Sequence, residues 1–476
     1  MNPYSWLMHV TLVLVCGATA WAMDLKPYAG PQAPLAKEDT EKRYALWHSL
    51  LVDAYLAHGD HDPKFDADMK LVLEASAADF VGKQAPADDL FPIAERLAGP
   101  GGSTDPMAAF AWFVFARHRG GQTALMACNN AMAVYQADYL AHQDKPRYAF
   151  APYACLMNYC LTTYDVAHHP DQLASATQVG DKLRGLLIMA INAHEYDPAP
   201  TSLIRTVDQI SVQNTDMAEA FITDLGLALE ESKTEPWLKH TVLASLGIKA
   251  AWAWRGSGWA STVTEQGWAG FKRHLDATEE HLTEAYRLHP NHPAIGKMGI
   301  TLAGAGHNAI SMEEWFRRSI AACFDDRDAF STYRQFRTPR WGGTYTDLLA
   351  LACDAVATKR FDTDVPWQII NTITYLVGDA KSMHLEAKLQ PALAQPAVRK
   401  ALVACFAGYA ARYPKKAAGY RCWEVGYLWH SGDKAGARTL LLTIDRANWS
   451  STAASEMELD FDQLLADTEP ADSVSF

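Results

Sequence analysis

Apolar residues recur at spacings of three and four through almost the whole chain. This spacing restricts the fold more than any other feature. Residues 265–288 carry it most clearly. Trp268, Phe271, Leu275, Leu282 and Ala285 fall on one face, while Lys272, Arg273, Glu279, Glu280 and Glu284 fall elsewhere. Residues 38–58 do the same with Tyr44, Trp47, Leu51, Ala54, Tyr55 and His58, and Gly59 follows as a stop. Side chains spaced in this way share a face only on an α-helix. Further helices are expected over 64–81, 104–117, 122–141, 147–166, 171–195, 215–232 and 235–254. No series of alternating residues marks strands. The expected fold is all-α, and many one-sided helices in one chain bury their apolar faces most economically as stacked helical hairpins.

Traces of a repeat support hairpins in the C-terminal half. "EEHLTEAYRLHPNHPAI" carries Ala285, Leu288 and Pro290, the spacing that ends the second helix of a tetratricopeptide unit. There the alanine lets two helices approach and the proline forces the chain to turn. "YLWHSGDKAGARTLLLTID" places Gly432 and Asp433 before Ala437, and "FAGYAARYPKKA" turns at Pro414 in a similar way. A tetratricopeptide-like α-solenoid is therefore expected over 235–449. Residues 23–100 form an N-terminal helical segment and 101–234 a helical region without clear repeats. The stretch "LAGPGGSTDP" joins those two. Residues 450–476 hold seven Asp or Glu and no Lys or Arg, and are expected as an acidic, solvated tail with one short helix near 459–465.

The first 22 residues, "MNPYSWLMHVTLVLVCGATAWA", read as a secretory signal peptide. The run from Trp6 to Ala18 is almost wholly apolar, and Ala20-Trp21-Ala22 gives a small-x-small cleavage site. Val15 before Cys16 argues against a lipid anchor. The expectation is an exported protein, periplasmic or secreted, with no transmembrane segment in the mature chain. A formal charge of −13 and the lack of any dense basic run argue against a nucleic-acid partner. Seven cysteines remain after the leader, too scattered to read as a disulfide framework.

Two glycine-rich blocks invite a functional reading. "FRTPRWGGTYTDLLALACDA" has Gly342 and Gly343 behind Arg340 and Trp341. Thr344 and Asp347 then have the form of a capping box. "ARHRGGQTALMAC" echoes it at Gly120-Gly121. Two echoes of one corner fit two helical hairpins better than two active sites, and the phosphate-loop pattern is absent. "AWRGSGWASTVTEQGW" offers Gly256 and Gly258 with Arg255 and Trp259, and Thr262 with Glu265 resembles a second capping box. Gly256, Gly258, Gly342, Gly343 and Thr344 are thus expected to serve turns.

The run "WLKHTVLASLGIKAAWAWRGSGWASTVTEQGWAGF", followed by "LTEAYRLHPNHPAI", "EEWFRRSIAAC" and "TPRWGG", resembles a bacterial helical-repeat group, domain of unknown function 4034. The resemblance covers about residues 235–360. It implies a tetratricopeptide-like helical fold and exported members, and it brings no catalytic residues. Thr344 departs from the family's serine but keeps the capping hydroxyl.

Groups that could carry chemistry are sparse. His58 with His61, His168 with His169, and His281, His289 and His292 lack the spacing of a metal site and suit helix ends. Asp325, Asp326 and Asp328 read as a solvated connector. No catalytic residue, cofactor or metal is expected. The leading expectation is an interaction protein that binds a peptide, protein or cell-envelope partner in a concave groove. Arg255, Trp259, Trp315, Arg340 and Trp341 are its contacts, while Trp268 and Phe271 hold the core. An envelope hydrolase on a helical scaffold and a carbohydrate binder are the alternatives.

Overall fold

A computed structural model describes residues 23–467 except 308 and 458. The proposed signal peptide at 1–22 and the final nine residues lie outside the described residues. The fold is all-α, and no strand occurs among the described residues. The chain divides into two compact units. One is Pro34–Ala329, and the other joins the described part of Met1–Ala33 to Phe330–Phe476. The division runs through the helix Arg327–Phe336, so the boundaries expected at 100 and 234 both fall inside a single unit.

In the 34–329 unit, consecutive helices pack as hairpins. Pro106–Ala116 lies against Gly121–Ala141, Phe150–Leu161 against Leu173–Asn192, Pro236–Arg255 against Glu265–Leu288, and Pro293–Gly304 against Met312–Ala322. Proline opens several of these helices, where its missing N–H costs nothing. Side chains satisfy other first-turn donors. Asp105 accepts from Met107 N at 2.9 Å, and the distant Glu195 accepts from Phe150 N and Ala151 N at 3.0 and 2.8 Å. At Thr262 the expectation fails. Its hydroxyl donates to Trp259 O, and Thr264 caps the next helix by accepting from Gly267 N at 3.0 Å.

Small residues set the closeness of the helices. A Cβ on Gly270 would lie 2.3 Å from the Trp254 ring, and one on Gly299 would lie 2.0 Å from the Trp315 ring. Real Cβ atoms do not approach so closely, so each tryptophan occupies the volume that a glycine vacates.

The other unit is built on the helices Tyr345–Ala357, Gln368–Met383, Pro396–Arg412, Ala417–His430 and Lys434–Leu441. Residues 450–467 are not a solvated tail. They form the helices Ser451–Glu456 and Phe461–Asp467, and Ala453, Met457, Leu459 and Leu464 are buried in this unit's core. The acidic composition hides apolar side chains that alternate with the charges. The seven described cysteines are free thiols, five buried and two half-buried.

At the 336–355 corner the two glycines act differently. Gly342 has φ +88°, the left-handed region, and ends the short turn Pro339–Trp341. Gly343 is needed for proximity, because a Cβ there would lie 1.9 Å from the Arg337 carbonyl oxygen. Thr344 Oγ1 accepts from Asp347 N at 3.1 Å and starts the next helix. Gly343→Ala is therefore expected to cost more than Gly342→Ala. The estimates are about 3 kcal/mol from overpacking against backbone and about 1 kcal/mol from the left-handed strain. Urea unfolding of both variants gives the ordering, and equal midpoints would refute it.

Candidate functional site

The residues singled out from sequence do not converge. Arg255 closes its own loop, with Nη1 donating to the carbonyls of Gly256 and Gly258 at 3.1 Å each. Its guanidinium lies over the rings of Trp252 and Trp268 at 5.3 and 5.7 Å. Trp259 stands out from this loop at 77% exposure. Trp315 is a core residue instead of a groove contact. It is 2% exposed, sits in the space left by Gly299 and meets Tyr286 edge-on at 5.9 Å. Of the expected core pair, Phe271 is buried but Trp268 is exposed. In the other unit, Arg340 pairs with the buried Asp379 and donates to Ser382 Oγ at 3.1 Å. Trp341 meets Phe336 edge-on at 4.9 Å.

A different part of the 34–329 unit forms a cleft of about 580 Å³, which none of those residues lines. It is built where five chain segments meet. Four are helix starts, at Ala36, Pro200, Pro236 and Pro293, and the fifth is the turn from Ala322 to Asp328. Hydrogen bonds fix the meeting. Phe324 N donates to Pro34 O at 2.9 Å, and Ala36 N donates to Asp325 Oδ1 at 2.7 Å. The aspartate cluster at 325–328 is thus no simple solvated connector. Asp325 ties two segments 289 residues apart, while Asp326 accepts from Asp328 N at 3.0 Å.

One wall is aromatic. Trp237 stacks on His289 at 4.3 Å, and its ring centre lies 5.1 Å from that of His292. His292 Nε2 is 3.1 Å from Thr201 Oγ1, and its Nδ1 is buried with no hydrogen-bond partner. Burial pushes the imidazole down to about 4. Asp39 opposes this, while His289 and Arg205 add to it. His292 is therefore neutral at pH 7 and can either donate or accept at the unpaired nitrogen.

Charged side chains make up much of the remaining lining. Glu38, Asp39, Asp208, Glu235, Asp326 and Asp328 line the cleft with Lys42, Arg205 and Lys297, and Arg43 and Lys249 act on these acids from behind the lining. Lys297 pairs with Asp208 at 2.6 Å, and Arg205 lies 3.8 Å from Asp328. Burial works against the Lys297 charge, yet Asp208, with Asp328 and Asp326, holds the ammonium above its ordinary value. Burial, with Asp328 beside it, pushes the Asp326 carboxyl up. The Cys323 thiol rises for the same first reason, which keeps it protonated and a poor nucleophile. A second, largely apolar cleft of about 340 Å³ lies in the other unit beside Leu389, Trp429 and Lys434.

No family model, curated protein or solved structure matches the chain. Function is therefore read from geometry.

Between the folded His292 pKa of about 4 and an unfolded value of about 6.5, the unfolded chain binds a proton that the folded chain does not. This group therefore destabilises the fold as the pH falls through that window, by about 2–3 kcal/mol at pH 4.5. Denaturant unfolding at pH 7 and pH 4.5 should show wild type losing that much more stability than His292→Gln. Equal losses would remove the assignment of a neutral, buried imidazole.

Proposed function

We propose that the chain is an exported interaction protein that holds a peptide or protein segment bearing a basic side chain in the cleft of the 34–329 unit. One observation carries this reading. The lining carries Glu38, Asp39, Glu235 and Asp328 beside the aromatic wall of Trp237 and His289, while Asp208 already neutralises Lys297. A volume of about 580 Å³ suits a few residues of a partner chain. The excess of carboxylate favours a cation, the aromatic wall covers an apolar stem, and His292 Nδ1 offers a backbone group its one missing hydrogen bond. Nothing in this scheme needs a covalent step.

The chain reaches its partner through the leader at 1–22. N-terminal sequencing of protein recovered outside the cytoplasm should begin at Met23, and recovery of the uncut chain in the cytoplasm alone would end the export reading.

An envelope hydrolase is the second reading. Asp326 favours it, because burial pushes its carboxyl up, the direction a general acid requires. Cleavage of a bound peptide that Asp326→Asn abolishes would establish it.

Fluorescence anisotropy with two labelled tetrapeptides, one carrying Arg and one Glu at the same position, tests the binding reading. Wild type should hold the Arg peptide about tenfold more tightly, the equivalent of about 1.4 kcal/mol. The double variant Asp39→Asn/Asp328→Asn should lose most of that preference. Equal affinities in wild type would defeat the proposal.

A further inference from the structure

A second site lies in the other unit and is independent of the cleft. The helix Gln368–Met383 carries Gln368, Thr372, Tyr375 and Asp379 at spacings of four, three and four, so that they share one face. Gln368, Thr372 and Asp379 are buried. Arg334 and Arg340, from the helix Arg327–Phe336 and the corner after it, reach this face.

The charges on it do not balance. Asp379 is fully engaged, with Oδ1 accepting from Arg340 and Oδ2 accepting from Tyr345 Oη at 3.0 Å. Arg334 is 9% exposed, and no carboxylate pairs with it among the described residues. Its Nη1 is 3.4 Å from both Gln368 Oε1 and Thr372 Oγ1, and its Nε is buried without a partner. A good N–H···O bond is about 2.9 Å, so these neutral neighbours hold the guanidinium only weakly. The Tyr375 ring lies 5.4 Å from it. The first turn of the helix has no acidic residue either. Burial lowers the Arg334 pKa to about 10, which still leaves it charged at neutral pH.

A buried cation with no counter-ion is strongly disfavoured unless an anion joins it. We propose that Arg334, with Thr372 and Gln368, forms a site for a small oxyanion, either a free ion or the carboxylate or phosphate group of a larger ligand. The guanidinium presents Nη1 and Nη2 along its end, beside Gln368 and Thr372, a fork that suits two oxygens of one anion. The Thr372 hydroxyl and the Gln368 amide can each turn to donate to it. Arg340 does not take part, because Asp379 and Ser382 occupy it.

The test is thermal unfolding of the full chain in chloride buffer, with phosphate, sulfate or acetate added at matched ionic strength. Wild type should gain about 2–4 °C when the preferred oxyanion reaches about five times its dissociation constant. A response to acetate points to a planar carboxylate, and a response to phosphate or sulfate points to a tetrahedral group. Arg334→Met removes the buried charge with an apolar stem of similar length. It should fold and show no gain beyond chloride. Thr372→Val keeps the charge but removes one donor, and should need more oxyanion for the same gain. Equal gains in wild type and Arg334→Met would overturn the proposal, as would no oxyanion response in wild type. If Arg334→Met fails to fold, an unchanged oxyanion response in Thr372→Val overturns it instead.

Discussion

The helices of this protein can pack as they do because a glycine faces an aromatic ring where they cross. Gly270 faces Trp254 and Gly299 faces Trp315, and in the other unit Gly408 admits Phe361 from the turn before the helix Gln368–Met383. Each glycine removes the volume that the ring then fills, so the ring touches backbone directly and contact density stays high. The arrangement fixes position along the helix as well as distance. A shift of one residue would put a side chain where the ring must lie. Everything at the ends of these helices inherits that register, including the meeting of helix starts around Trp237 and His292.

Much of the fold was legible because its causes are local. Three-and-four spacing marks helices, and a threonine three residues before an acid marks a helix start, as at Thr344. The corner at Gly342-Gly343 could be assigned to backbone geometry for the same reason, although two separate causes share the work there. The echo at Gly120-Gly121 differs in detail, since both of its glycines have positive φ. Thr262 was misread because two threonines stand two residues apart and only the backbone decides which one caps.

The cleft was not legible. Its lining comes from segments near residues 35, 199, 236, 292 and 325, and no local pattern records that they meet. The spacing of the histidines at 289 and 292 suits helix ends equally well. Trp315 shows the converse error. Aromatic residues on a repeat helix suit a groove or a core equally well, and Gly299, sixteen positions earlier, decides the matter. In 450–467 the charges drew attention from the apolar positions that dock. Arg334 has no sequence signal, because burial without a counter-ion is visible only in three dimensions.

The free cysteines bear on how the folded chain meets an oxidant. Burial raises the pKa of all seven thiols, with Cys128, Cys155 and Cys405 each pushed up to about 12 and Cys353 to about 11. Thiolate is the species that exchanges and oxidises, and its population falls tenfold with every unit of that rise. Once folded, the chain shields its sulfur chemistry by packing alone.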